Sequence, residues 1–349
     1  MRYSVISVAE LDHGVRSAWL QLLNEQALYR SPYYHPDYTV AVAQGGAQLR
    51  LLLIEQAGKL AAVLPYQLEG RWCAAPVGGG LTDYQGPICA NGLRLSPSAM
   101  LTAMRVHYMG FNHMPLARTE FAAGAWEHSR SLTLDLRGGF AAYAERLQAT
   151  REASLLKKIE TAERKLAKKF GALRFCFDAD SATDYTALLR GKSEQFVRTL
   201  GPAHDLFAQP AIRTVIDHLH AHRQPEFAGI LSTLHAGDTL IAAHFGLRTG
   251  QVLHYWFPWY DTAYAEFSPG LMLLAGCARA AAERGIEVVD LGRGEQAYKQ
   301  RFASGFEPLC EGAVSAPAML AQAQGRYRQA RHGLKHSPFG SWLRRIKAR

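Results

Sequence analysis

Residues 267–302, FSPGLMLLAGCARAAAERGIEVVDLGRGEQAYKQRF, decide the fold. They open a helix with well-marked ends: Ser268 as N-cap, Pro269 at the first helical position and Gly285 beyond the last turn. The apolar run 286–291 reads as a buried strand, and 292–302 starts another helix. Upstream, 228–235, 239–247 and 251–258 read as three strands joined by the tight turns AGD and RTG, so antiparallel hairpins are expected. Further back lie a strand at 173–177 and helices at 183–199 and 210–222. The order is strand, two helices, three antiparallel strands, helix, strand, helix, which is a mixed α/β unit with a largely antiparallel sheet.

Moving outward, 150–171 reads as a charged helix with Leu155, Ile159, Ala162, Leu166 and Phe170 on one stripe and Gly171 as its stop. A charge-laced helix reads as a solvated connecting element, so a domain boundary is expected at its start. The first half is also mixed α/β. A helix is expected at 11–28, followed by SPYYHPDY (31–38), whose two prolines forbid a regular helix throughout. A hairpin turning at Gly58 joins 51–55 to 60–66, and APVGGGLTDYQGPI (75–88) leads to a helix at 96–108. The expected domains are 1–149, 150–315 and a basic tail at 316–349.

The chain's 349 residues suit two cores, and 48% hydrophobic with 20% charged residues excludes bulk disorder. A net charge of +9 suggests nucleic acid at first sight, but eight Lys/Arg and no Asp/Glu lie in 326–349, and subtracting those eight leaves +1. No specific nucleic-acid partner is expected. Five scattered cysteines form no CxxC pair, no apolar run reaches the roughly 18–20 residues of a membrane span, and the N-terminus lacks a sustained apolar stretch. A cytoplasmic setting is therefore expected. His218 and His222 share a helix face without a third ligand, so no metal is expected. Gly292-Arg293-Gly294 lacks dinucleotide spacing, and no GxSxG elbow is present.

The set AAHFGLR (242–248), LHYWFPWYD (253–261), FSPGLMLL (267–274) and VVDLGRGEQAYKQRF (288–302) resembles the GNAT acyltransferases of the CelD/BcsL type, associated with cellulose and exopolysaccharide biosynthesis. SPYYHPDY and TDYQGPI (82–88) also resemble that family, so the likeness runs from about 31 to 306 and excludes the tail. It is similar in architecture to Fem-type transferases, and the resemblance implies two tandem GNAT-like domains. It further implies transfer of an acyl group, acetyl by expectation, from acyl-CoA to an amine, with an amino sugar as acceptor. The alternatives are a Fem-type enzyme using aminoacyl-tRNA, and a GNAT-like module that only binds.

The candidate residues follow. Ser268, Pro269 and Gly270 open a helix whose free N–H groups and partial positive charge suit the CoA pyrophosphate. Glu266 beside them would oppose it. Pairing Leu247 with Gln251 would set His244 opposite His254 on one face and Tyr255 on the other. His244, among small neighbours, is a candidate general base, or else a hydrogen-bonded core histidine. Tyr298 is the candidate acid for the departing thiolate, as the resemblance implies, or one member of an apolar stripe with Phe302 and Phe306. Lys192 interrupts the Leu188–Phe196 row as an acceptor contact or a snorkelling side chain. Lys299, Asp83, Tyr84, Tyr255 and Asp261 complete the candidate substrate contacts; the two aspartates read equally as turn residues. The basic, aromatic-bearing tail suits weak attachment to an anionic inner-membrane surface.

Overall fold

The computed structural model describes residues 1–325, and the membrane expectation for the tail falls on 326–349, outside the described residues. The chain opens with strand β1 (Arg2–Ser7), helices α1 (His13–Glu25) and α2 (Pro36–Gln44), and strands β2 (Leu49–Gln56) and β3 (Lys59–Glu69). Then come β4 (Cys73–Ala75), β5 (Ile88–Cys89), α3 (Pro97–Met104), β6 (Tyr108–Pro115) and β7 (Ala125–Asp135). The second half runs α4 (Gly139–Gln148), α5 (Leu155–Phe170), β8 (Leu173–Cys176), α6 (Ala182–Leu200) and α7 (Pro210–Ala221). Strands β9 (Phe227–Ala236), β10 (Thr239–Thr249) and β11 (Val252–Tyr260) precede α8 (Pro269–Glu283), β12 (Val288–Arg293), α9 (Ala297–Phe302) and β13 (Gly305–Ser315).

Two compact units result. The first holds Met1–Gln26, Gln48–Ser129 and the described chain from Pro308; the second holds Ala27–Ala47 and Arg130–Glu307. The boundary expected at 149/150 therefore falls inside the second unit. The physical reason lies in two segments. SPYYHPDY packs its tyrosines among second-unit side chains, with Tyr33 edge-on to His254 at 4.8 Å and to Trp256 at 5.6 Å. Helix α5 is no solvated connector either, because Leu155, Ile159 and Leu166 are buried in that unit's core.

The first unit's sheet runs β1-β2-β3-β4-β6-β13, with β5 added to β3. Its hairpin turns on Ala57 and Gly58, both at positive φ, as a two-residue loop whose twist matches the strands. Strand β4 is antiparallel to β3 and parallel to β6. The second unit's sheet runs β8-β9-β10-β11-β12-β7, again with one parallel pair, β11 with β12, beside antiparallel neighbours. Both units thus repeat one plan, and the element order read from 173–302 holds throughout the second.

The core of the second unit centres on α8 over the sheet. Met272, Leu273, Leu274, Cys277, Ala278 and Ala281 are buried, and a side chain the size of Leu273 contributes about 2 kcal/mol on burial. A Cβ on Gly276 would stand 2.8 Å from the Phe175 ring, so the bare backbone sets how closely helix and strand approach.

Candidate active site

The site starts from a break in strand pairing. Strands β11 and β12 pair in parallel only at Val252↔Val288, Leu253↔Val289 and His254↔Asp290. Beyond that point β11 continues to Tyr260 without β12 beside it, and its edge is released. On its other side β11 carries a bulge, because Phe245↔Phe257 is followed by Leu247↔His254, with Tyr255 and Trp256 opposing Gly246 alone. His244 therefore faces Pro258, not His254, and the register expected from a Leu247–Gln251 pair is corrected. Gly246 makes the bulge possible, since a Cβ there would lie 2.3 Å from the His254 carbonyl oxygen.

His254 ends the paired stretch, and Asp290 fixes it. Asp290 Oδ1 accepts from Ser131 Oγ at 2.6 Å and from the Gly292 N–H at 2.8 Å, with His254 Nδ1 at 3.6 Å. These buried residues hold the point where the strands part. Sequence reasoning did not assign them a role; the DLG turn after an apolar run was the available signal.

A cavity of about 530 Å³ opens from this point. Ser268 and Gly270, at the start of α8, form one wall. Ser268 sits at φ +56°, a conformation costly for a residue with a Cβ, and its hydroxyl makes no cap bond. Its carbonyl accepts from Leu271 instead. Pro269 is buried and has no N–H to offer. Gly270 lies against Tyr260, where a Cβ would be 3.3 Å from the ring. Glu266 is matched by Lys169 at 3.1 Å, which moderates the repulsion expected toward phosphate.

Tyr298, Tyr255, Lys192 and Lys299 line the same cavity. Burial pushes the Tyr298 phenol up to about 12. Tyr255 Oη is buried without a hydrogen-bond partner, and burial drives its pKa well above the ordinary tyrosine value. Lys192 Nζ donates to Pro258 O at 3.0 Å and Gln195 Oε1 at 3.1 Å; burial first, then the Lys299 charge, lower it to about 8. Lys299 Nζ donates to Gly292 O at 3.2 Å and Arg293 O at 2.8 Å. Trp259, Arg198 and Gln296 also line the cavity and were not singled out in the sequence. Gly191 was the legible clue to Trp259, because a Cβ there would collide with the indole.

Other candidates lie elsewhere. His244 is fully buried outside the cavity lining; its Nε2 accepts the Trp256 N–H, and burial holds it neutral. Asp261 is also outside, and its Oδ1 accepts from the Ala263 N–H at 2.9 Å. Asp83 and buried Tyr84 belong to the first unit. The stripe expected through Tyr298, Phe302 and Phe306 breaks, because α9 ends at Phe302 and Phe306 is exposed in β13.

Both units are mixed α/β sheets flanked by helices, and in the second a parallel strand pair splays apart beside the start of α8. Residues 153–300 match the family model described as Acetyltransferase (GNAT) domain, so the second unit is a GNAT-type acyltransferase domain. Among solved structures, the chain is similar in fold to the C-terminal domain of a putative lysylphosphatidylglycerol synthetase from Agrobacterium fabrum. The identity is 14% and the TM-score 0.53, covering 88% of this chain and 94% of that one. A conserved protein of unknown function from Bacteroides thetaiotaomicron is similar at 9% identity and TM-score 0.53, over 89% and 99%. No curated protein sequence matches significantly. Among the described residues, no helix is long and apolar enough to cross a membrane, and no cluster of metal ligands occurs.

Proposed function

We propose that the second unit transfers an acyl group, acetyl by preference, from acyl-CoA to an amine, and that the acceptor is an amino sugar destined for a polysaccharide. The observation that carries this reading is the cavity where β11 leaves β12, with the α8 start and Tyr298 on its walls. The residues fit the donor: Pro269 has no N–H and those of Leu271 and Met272 turn to the Ser268 carbonyl, so the α8 start offers the Gly270 N–H and its partial positive charge toward phosphate, and the orphaned Tyr255 hydroxyl offers a buried donor for an acyl oxygen. Bound acyl-CoA would supply an activated thioester, at which the amine nitrogen forms a C–N bond as the C–S bond breaks. Tyr298 gives its proton to the leaving sulfur, and the released β11 edge with Tyr255 orients the carbonyl. The amino-sugar and polysaccharide assignments are supported by the resemblance of the quoted segments. The docking of α5 into the core favours a CoA enzyme over a Fem-type one, because no long helical arm extends from it among the described residues.

The test is incubation with acetyl-CoA and a panel of nucleotide-linked amino sugars, following thiol release. Turnover supports the reading, and failure to bind CoA refutes it.

A further inference from the structure

Helix α5 carries a charged face that the chemistry at the cavity does not use. Its apolar side is buried through Leu155, Ile159 and Leu166. Lys157, Lys158, Thr161 and Lys165 are exposed and, spaced by three and four residues, share another face. With Ser154 they line a hollow of about 470 Å³, whose lining also includes Glu266 and Phe267, directly before the α8 start. The three lysines form no ion pair among the described residues, and Glu266 is already matched by Lys169 at 3.1 Å.

This arrangement works against the helix. Lys157 and Lys158 stand near the positive end of its dipole, and its first turn holds no acidic residue. Their like charges, with Lys165 further along the same face, also repel one another. Three cations gathered around one hollow under those conditions make physical sense when an anion of more than one charge sits among them. The hollow's place indicates which anion. On the proposed function the donor's pyrophosphate meets the α8 start, and residues 266–267 join that start to the hollow. In CoA one ribose joins the pyrophosphate to a second phosphate, the 3′-monoester, which carries close to two negative charges near neutral pH.

Resting on the acyl-CoA reading, we propose that Lys157, Lys158 and Lys165 seat the ribose 3′-phosphate of the donor. The seat is separate from the Gly270 N–H that faces the pyrophosphate, and it selects free acyl-CoA over donors that lack this phosphate.

The experiment reads binding and needs no turnover. CoA and dephospho-CoA, which differ only in the 3′-phosphate, are titrated calorimetrically into the full-length protein. CoA is expected to bind about tenfold or more tightly than dephospho-CoA, and the gap should narrow as salt is raised, because the lysines are exposed. In the triple variant Lys157→Gln, Lys158→Gln, Lys165→Gln, CoA affinity should fall to that of dephospho-CoA, while dephospho-CoA affinity stays within about twofold of wild type. Equal affinity of the two ligands for the wild type would overturn the seat and leave the acyl-CoA reading standing. So would an undiminished gap in the variant, or an equal loss of both ligands. Failure of both to bind the wild type would overturn the acyl-CoA reading, and the seat with it.

Discussion

His244 lies flat against Tyr255, with ring centroids 4.0 Å apart and planes 11° from parallel, and its Nε2 accepts the Trp256 N–H at 3.2 Å. One histidine thus props both residues of the β11 bulge. Its ring supports the Tyr255 phenol that lines the cavity, and its nitrogen occupies the backbone donor of the next residue. On the proposed function, a positioning role would account for so buried a histidine beside the cavity but outside its lining.

The first prediction separates positioning from proton transfer at His244. His244→Gln keeps an acceptor for the Trp256 N–H and removes the imidazole. Turnover should fall less than about tenfold, with the shape of the pH profile unchanged. Loss of a general base would instead cost about 10²–10⁴ and abolish the profile's acidic limb. Steady-state rates from pH 6 to 9 decide between them.

Gly270→Asp places a carboxylate at the helix start where the donor's pyrophosphate is expected. Near a helix N-terminus this charge is tolerated or mildly stabilising. Thermal unfolding should therefore change little, while calorimetry should show CoA affinity reduced at least about a hundredfold. Gly270→Ala is the control for crowding against Tyr260, whose ring a Cβ meets at 3.3 Å.

Tyr298→Phe removes only the hydroxyl. The rate should drop about 10²–10⁴-fold at unchanged CoA affinity. Because burial holds this phenol near about 12, the wild-type rate should show no limb from its ionisation below pH 9. A mutant turning over at the wild-type rate would assign the proton to another donor.

Lys192 gives a stability signature. Its folded pKa of about 8 lies below the ordinary 10.5. Between these values the unfolded chain binds more protons, so this group's contribution to stability rises with pH across the window and is least favourable below pH 8. The full span is on the order of 3 kcal/mol. Urea unfolding at pH 7.5 and 10 should show that gain in the wild type and its absence in Lys192→Met.

Much of the second unit was legible because its signals are local. Ser268-Pro269 and Gly285 bracket α8, AGD and RTG set the two turns, and the bounds of β9 to β12 follow. The register was not legible, because a bulge depends on which residue can spare its side chain across the strand. Gly246 in AAHFG carries that information only once its neighbour is known to be the His254 carbonyl. For the same reason His244 looked accessible among small residues, whereas Tyr255 covers it. Lys192 stood out as a charge on an apolar row, but its convergence with Lys299 depends on α6 and α9 meeting at one cavity. In the first half, short strands such as β4 and β5 owe their form to pairing partners far along the chain, not to any periodicity of their own.

Strand β13 completes the sheet that begins with β1, although every element of the second unit is encoded between them. During synthesis the β6 edge must therefore wait for its neighbour while the second unit emerges and folds. An open edge of that kind invites wrong pairing, and a chain stopped before Gly305 would carry it permanently. Residues 1–149 expressed alone should accordingly aggregate. On the ribosome, the unit that starts the protein is the last to be finished.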